Sequence, residues 1–341
     1  QPEIGSTSMP SYDGLLKFLS VEEVEYGFPR QGEEGGKHPS WAFHKFLPWT
    51  SKLPSNATFD HVYAYFADNA TITARDWVAA AHIAAHVQYQ NLFNGFISHI
   101  FEETAAVVMW KTQSPWPSLR GFLYDWYLES TGTSRGVEAA LGTPVSVVFD
   151  PLVWRLRVVN RQIFPLTSCQ GSRIGATYTW IDVEGRIVAS DELLLPNDVL
   201  PPMSSSILGV ESSELVWPDN CTNVCFLRLV PTGLCARFDQ NVWYWLTTPE
   251  DGLASDYSSF GELRHRRAAR LEFEIVDRCV IDGADILIDI RMLVDSASLA
   301  FYPIFRALRS TDNSPMFPLF DSKALDVVLL PGSSHERRLT I

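Results

Sequence analysis

Apolar positions change their spacing several times along the chain, and each change predicts a different kind of element. Residues 10–20 predict a short helix, and residues 25–60, rich in Gly, Pro, Trp and His, predict an irregular segment too long for a routine connection. From Thr73 the period becomes helical: Trp77, Ala81, Ala84, Ala85, Leu92 and Phe96 recur at three- and four-residue steps, and Thr73 with Asp76 forms a capping box. A long helix is expected there. The run from Thr104 to Trp110 is apolar without alternation, the pattern of a parallel strand covered on both faces. A polar, Pro-containing loop at 111–119 and a helical stretch to about residue 141 follow it. Helix, buried strand, loop and helix match the closing unit of a (β/α)8 barrel.

Beyond Gly142 the period is two. Trp154, Leu156 and Val158 alternate with Arg155 and Arg157; Ile174, Ala176, Tyr178 and Trp180 alternate with smaller residues; Asp182-Val-Glu-Gly185 turns the chain. The run Val242-Trp-Tyr-Trp-Leu246 ends this block. After a Gly/Ser/Asp-rich linker near 250–260, strand-like stretches recur at 271–276, 285–293 and 325–330. The expected fold class is α/β plus all-β: the C-terminal part of a (β/α)8 barrel over residues 1–141, then two immunoglobulin-like β-sandwiches at 142–250 and 251–341.

Composition narrows the function. A net charge of -13 argues against a nucleic-acid partner, which needs clustered Lys and Arg to displace counterions, and the basic run at Arg264–Arg267 reads as a solvated face. No stretch is apolar enough for a membrane span. Five cysteines (Cys169, Cys221, Cys225, Cys235, Cys279) are too few for a disulfide scaffold, and their odd number leaves at least one unpaired within the chain. Cys221, Cys225 and Cys235 lack a fourth ligand at zinc-site spacing, and His82 and His86, four apart, lack a carboxylate partner, so no metal or other cofactor is expected. Three N-x-S/T sequons, at Asn56, Asn69 and Asn220, favour a secretory, vacuolar or extracellular location. The opening residues lack the basic region and apolar core of a signal peptide, and they read as cut from the middle of a longer chain.

Four segments carry a resemblance. Gln1-Pro-Glu-Ile-Gly-Ser6 resembles the Pro-Glu-hydrophobic-Gly-Ser end of strand seven in glycoside hydrolase family 2, where the Glu is the nucleophile. The segment from Met109 to Trp126, Met-Trp-Lys-Thr-Gln-Ser-Pro-Trp-Pro-Ser-Leu-Arg-Gly-Phe-Leu-Tyr-Asp-Trp, resembles the strand-eight loop and following helix of the plant-type endo-β-mannosidases of that family. Trp41-Ala-Phe-His-Lys-Phe46 is similar to their Trp-x-x-His-Lys-aromatic segment, and Asn241-Val-Trp-Tyr-Trp-Leu246 to a strand late in their first C-terminal sandwich. Ser114 departs from the pattern, which carries Asn there.

The resemblance implies a retaining β-mannosidase acting on Manβ1-4GlcNAc of N-glycan remnants, with Glu3 as nucleophile. Such an enzyme holds its two carboxylates about 5 to 5.5 Å apart. The family's acid/base is the Glu of an Asn-Glu pair upstream of the nucleophile, and no Asn-Glu pair occurs here. The expected partner is therefore upstream polypeptide of the same precursor. Glu102 and Glu103, on the wrong side of the expected strand, read as structural. Trp110 and Trp116 are candidate sugar platforms, Lys111 binds sugar hydroxyls, and Arg120 either does so or pairs with Asp125. Trp41 and His44 reach the site from the long loop, His44 being alternatively a structural histidine. An exo-β-glucosaminidase, or a non-catalytic carbohydrate-binding or structural subunit, are the competing readings.

Overall fold

The computed structural model describes residues 8–28, 38–44, 62, 64–66, 72–120, 122–169, 171–210, 213–235, 241–250, 254–255, 260–264, 269–281, 285–295, 297–303, 307–308, 311, 315–316, 319–320 and 328–340. The fold mixes helix and sheet. Three short helices, α1 (Tyr12–Leu15), α2 (Val21–Gly27) and α3 (Pro39–Phe43), lead to the 25-residue α4 (Ala74–Ser98), and α5 (Gly132–Leu141) ends the helical part. The capping box expected at the start of α4 is present: Asp76 N–H donates to Thr73 Oγ1 at 3.2 Å, and Thr73 N–H to Asp76 Oδ2 at 3.1 Å. No described helix is long and apolar enough to cross a membrane.

The buried strand expected at 104–110 does not form. Thr104 makes only an isolated bridge with Ile100, and Ala105, Ala106, Val108 and Trp110 are exposed. A strand covered on both faces needs ladder partners at its edges for its backbone N–H and C=O groups. No described strand lies beside this one, and only Val107 and Met109 gain apolar cover, from the Tyr89 and Phe93 side of α4. Among the described residues there is no closed barrel. The second helix also starts later than expected, because Thr131 caps it at Thr133 N–H while its backbone N–H returns to the Leu123 carbonyl, making 122–131 a folded turn region.

The period-two region is antiparallel sheet. Strands β1 (Val145–Asp150), β2 (Arg155–Asn160) and β7 (Ser204–Ile207) form one layer. Strands β5 (Ile187–Leu194), β4 (Gly175–Asp182), β8 (Val224–Thr232) and β9 (Val242–Thr247) form the other, and β3 (Leu166–Thr167) pairs with β6 (Val199–Leu200). Val147, Phe149, Leu156 and Val158 of the first layer share a core with Ala176, Trp180, Leu227 and Val242 of the second. Four cysteines pair, Cys169 with Cys235 and Cys221 with Cys225. Downstream, strands Leu271–Ile281, Asp285–Val294, Ser334–Thr340 and Leu319–Phe320 make a second antiparallel sheet in that order. Of the strand expected at 325–330, Val328–Leu329 pairs with Ala300–Phe301, and 325–327 lie outside the described residues.

Helix α4 joins these parts. Its core includes Trp77 and Ala81 together with Trp41 of α3, Phe226 and Trp245 of the first sheet block, and Tyr302 and Val328 of the second. Gln90 Nε2 donates to the Trp243 carbonyl at 3.2 Å, and Asn94 Nδ2 to Tyr244 Oη at 2.8 Å. His82 Nε2 lies 3.0 Å from the Met9 carbonyl, fastening the N-terminal segment. His86 sits among Trp245, Tyr302 and Arg135, where burial, and next the Arg135 charge, push its pKa down to about 3. Both histidines are therefore core residues.

The crossing of α4 and α5 depends on two glycines. A Cβ on Gly132 would stand 1.8 Å from the His82 carbonyl oxygen, and one on Gly136 2.3 Å from that of His86. Backbone on backbone cannot relax as a side chain can. Gly136→Ala is expected to destabilise the chain by about 2 kcal/mol or more, read as a lower denaturation midpoint; an unchanged midpoint would refute the close crossing.

Candidate active site

The loop between Met109 and Ser130 is irregular but heavily bonded. Ser114 Oγ donates to the Trp116 carbonyl at 2.7 Å and lies 2.8 Å from Ser118 Oγ, both hydroxyls being buried. The serine that departs from the family pattern thus ties the loop beneath Trp116. Leu119 N–H donates to the His44 carbonyl at 3.0 Å, which docks the loop on the end of α3.

That docking makes an aromatic cluster. The His44 ring stacks on Trp116 with centroids 5.6 Å apart and an interplanar angle of 19°, and its Nδ1 lies 2.9 Å from the Pro117 carbonyl. Phe43 meets both rings edge-on, at 5.1 and 6.0 Å. Phe18 lies 4.7 Å from His44 on the other side and 6.4 Å from Tyr127, over which Lys17 Nζ sits at 4.6 Å. Trp41 is fully buried below this cluster, its Nε1 donating to the Glu23 carbonyl at 2.8 Å. It offers no surface to a ligand.

The other half of the loop is open. Trp110 is 49% exposed, and Lys111 Nζ lies 5.6 Å from its ring and 5.7 Å from that of Phe122. Lys111, Phe122 and Leu128 hold φ values of 67°, 50° and 64°. For side chains of this size the left-handed region is strained, and such strain collects where a loop presents groups to a ligand. Arg120 makes no ion pair with Asp125, and its Nε is buried without a hydrogen-bond partner. The structure therefore gathers His44 with Trp116 and Trp110 with Lys111; no ring contact or hydrogen bond joins the two pairs. Glu3, Asn56 and Asn69 lie outside the described residues, and Asn220 is exposed in a turn.

Phe18, Phe43, Lys17 and the turn Asp125–Glu129 were not legible as site residues. Phe43 falls within the Trp41–Phe46 segment and Asp125 at the end of the Met109–Trp126 segment, but neither segment marked them as neighbours of one site. Asp125 Oδ1 accepts from the N–H groups of Tyr127 and Glu129 at 2.8 and 2.9 Å, while its Oδ2 is buried with no partner. Burial raises its pKa to about 6, the Tyr127 and Glu129 amides and Lys17 opposing the rise and the Glu129 charge adding to it. Glu129 itself is paired with Lys17 at 2.7 Å and accepts from Ser11.

No family model matches the chain. A curated relative, the mannosylglycoprotein endo-beta-mannosidase of Lilium longiflorum, is 24% identical over 256 residues, 73% of this chain and 25% of that protein. Among solved structures, the exo-chitosanase of Amycolatopsis orientalis superimposes with a TM-score of 0.75 at 15% identity, covering 99% of this chain and 39% of that one. The beta-D-mannosidase of Dictyoglomus thermophilum superimposes at 0.64 and 16% identity, covering 100% of this chain and 35% of that one. The chain thus spans a quarter of the curated relative and under two fifths of either structure. These relatives fit the resemblance to glycoside hydrolase family 2 on which the segments were read.

The raised pKa of Asp125 gives a pH prediction. Its folded value lies above the unfolded one, so its favourable contribution is complete below about pH 4 and is lost as pH rises through about 6. Wild-type protein is expected to lose stability relative to Asp125→Asn between pH 4 and 7, measured by denaturation at each pH. A constant difference across that range would refute the assignment.

Proposed function

We propose that this relative of the family 2 glycoside hydrolases is the C-terminal portion of a retaining β-glycosidase that hydrolyses β-mannosides, with Manβ1-4GlcNAc of N-glycan remnants as substrate. The observation that carries the reading is the likeness to the lily enzyme over 73% of the chain. The helical part to Leu141 is read as the last quarter of a (β/α)8 barrel, and the two antiparallel blocks, 142–250 and 251–341, as immunoglobulin-like sandwiches. The disulfides suit a secretory, vacuolar or extracellular protein, where an oxidising environment keeps them closed.

In this reading the Glu3 carboxylate attacks the anomeric carbon as the glycosidic C–O bond breaks. A carboxylic acid from the upstream polypeptide protonates the leaving oxygen, then takes a proton from the water that releases the sugar. The Trp116 face, held by His44 and Phe43, packs against a pyranose C–H surface. Trp110 and Lys111 contact the sugar from the open half of the loop, with Arg120 binding a hydroxyl. Trp41 acts from beneath by fixing α3, and with it His44. One observation supports exo-β-glucosaminidase as the second reading: the exo-chitosanase superimposes better than the mannosidase, 0.75 against 0.64.

The test is to treat the native assembly, upstream polypeptide included, with a 2-fluoro β-mannosyl inactivator and map the modified peptide. A glycosylated Glu3 is expected. Labelling only by a 5-fluoro β-glucosaminyl reagent would move the assignment to the second reading, and labelling by neither would leave a non-catalytic carbohydrate-binding or structural subunit.

A further inference from the structure

The stretch Trp217-Pro-Asp-Asn-Cys-Thr222 leads into β8 and holds the sequon at Asn220. Cys221 N–H donates to the Pro218 carbonyl at 2.9 Å, closing a β-turn with Asp219 and Asn220 at its central positions. Trp217 Nε1 donates to the Cys221 carbonyl at 2.7 Å, and the Cys221 sulfur is bonded to Cys225. The turn is held from both sides. Asn220 and Thr222 are exposed while Cys221 is buried.

Trp217 stands three residues before the asparagine. Its ring is half-buried, meeting Trp180 at 5.6 Å and Trp154 at 6.4 Å, and the bond to Cys221 lays the indole across the base of the turn. The neighbouring Val216 is 78% exposed. The part of the indole left uncovered, three residues before an exposed acceptor amide in a turn held from both sides, gives the C–H face of a pyranose an aromatic surface to pack on without ordering anything further.

We infer that Asn220 is an N-glycosylation site and that the first N-acetylglucosamine of its glycan packs on Trp217. In the transfer, the Asn220 amide nitrogen bonds to the anomeric carbon of a lipid-pyrophosphate-linked oligosaccharide; the carbon–oxygen bond to pyrophosphate breaks, and the amide loses one proton. The glycan is then a stabilising part of the first sheet block. The inference rests on the secretory reading and is independent of which sugar is cleaved.

The experiment uses the protein secreted by a eukaryotic host from its full-length precursor. Peptide:N-glycosidase is expected to convert Asn220 to Asp, and to lower the melting temperature of the first block by about 3 °C. In Trp217→Leu the enzymatic shift is expected to vanish, whereas Trp217→Phe, which keeps a ring, retains part of it. Thr222→Ala abolishes the modification while keeping the asparagine. An unmodified Asn220 in secreted protein overturns the site, and an occupied Asn220 with no Trp217-dependent shift overturns the packing. Glu3 labelling on the same sample reports on the glycosidase reading, so the two can fail separately.

Discussion

The structure depends on a stripe of buried polar side chains down α4. His82, His86, Gln90, Asn94 and Ser98 recur every fourth residue, all of them buried. Such groups are costly to desolvate unless each finds a partner or stays neutral. His82 holds the Met9 and Pro10 carbonyls. Gln90 and Asn94 hold β9, and the Ser98 carbonyl accepts from Ser205 of β7. Tyr244 Oη accepts from Asn94 and also from Phe149 N–H at 3.1 Å, so one hydroxyl joins α4 to both sheet layers. Apolar contact alone would let the parts slide over one another; this stripe sets their register.

The candidate site inherits its rigidity from that helix. Trp77 of α4 meets Trp41 edge-on at 6.5 Å, and Trp41 fixes α3 through the Glu23 carbonyl. His44 follows directly and carries Trp116. A change in the packing of α4 would therefore move the stacked pair without touching it. On the other side, Lys17 and Glu129 tie α1 to the turn that bears Tyr127, closing the ring of contacts around Phe18. Trp41, expected to reach the site from the long loop, is fully buried and bears on the candidate site only through α3.

The sequence disclosed what depends on local period and missed what depends on neighbours. The capping box at Thr73, the alternation in β2 and the turn at Gly185 needed only nearby residues, and they stand where expected. The run at 104–110 has the composition of a buried strand, but a strand is made by its ladder partners, and the described residues supply none. Likewise the polar stripe was hidden, because the alanines and larger apolar residues between its members carry the helical period and polar residues four apart look like surface. His44 and Trp116 were each legible, but their stacking was not, since 71 residues separate them and the docking rests on long-range bonds, Leu119 N–H to the His44 carbonyl and His44 Nδ1 beside the Pro117 carbonyl.

The same constraints divide the candidate loop unequally. The stacked half is fixed by buried serines and by α3, so the Trp116 and His44 rings keep one mutual geometry. The other half leaves Trp110 and Lys111 exposed, yet Tyr124 N–H donates to the Thr112 carbonyl and Thr131 Oγ1 to the Leu123 carbonyl, so its backbone is tied down while those two side chains stay open to solvent. An exo-chitosanase and a beta-D-mannosidase share this chain's fold over nearly its whole length, at 15% and 16% identity. What that likeness shows is a shared backbone path, and it leaves the side chains of the loop unconstrained.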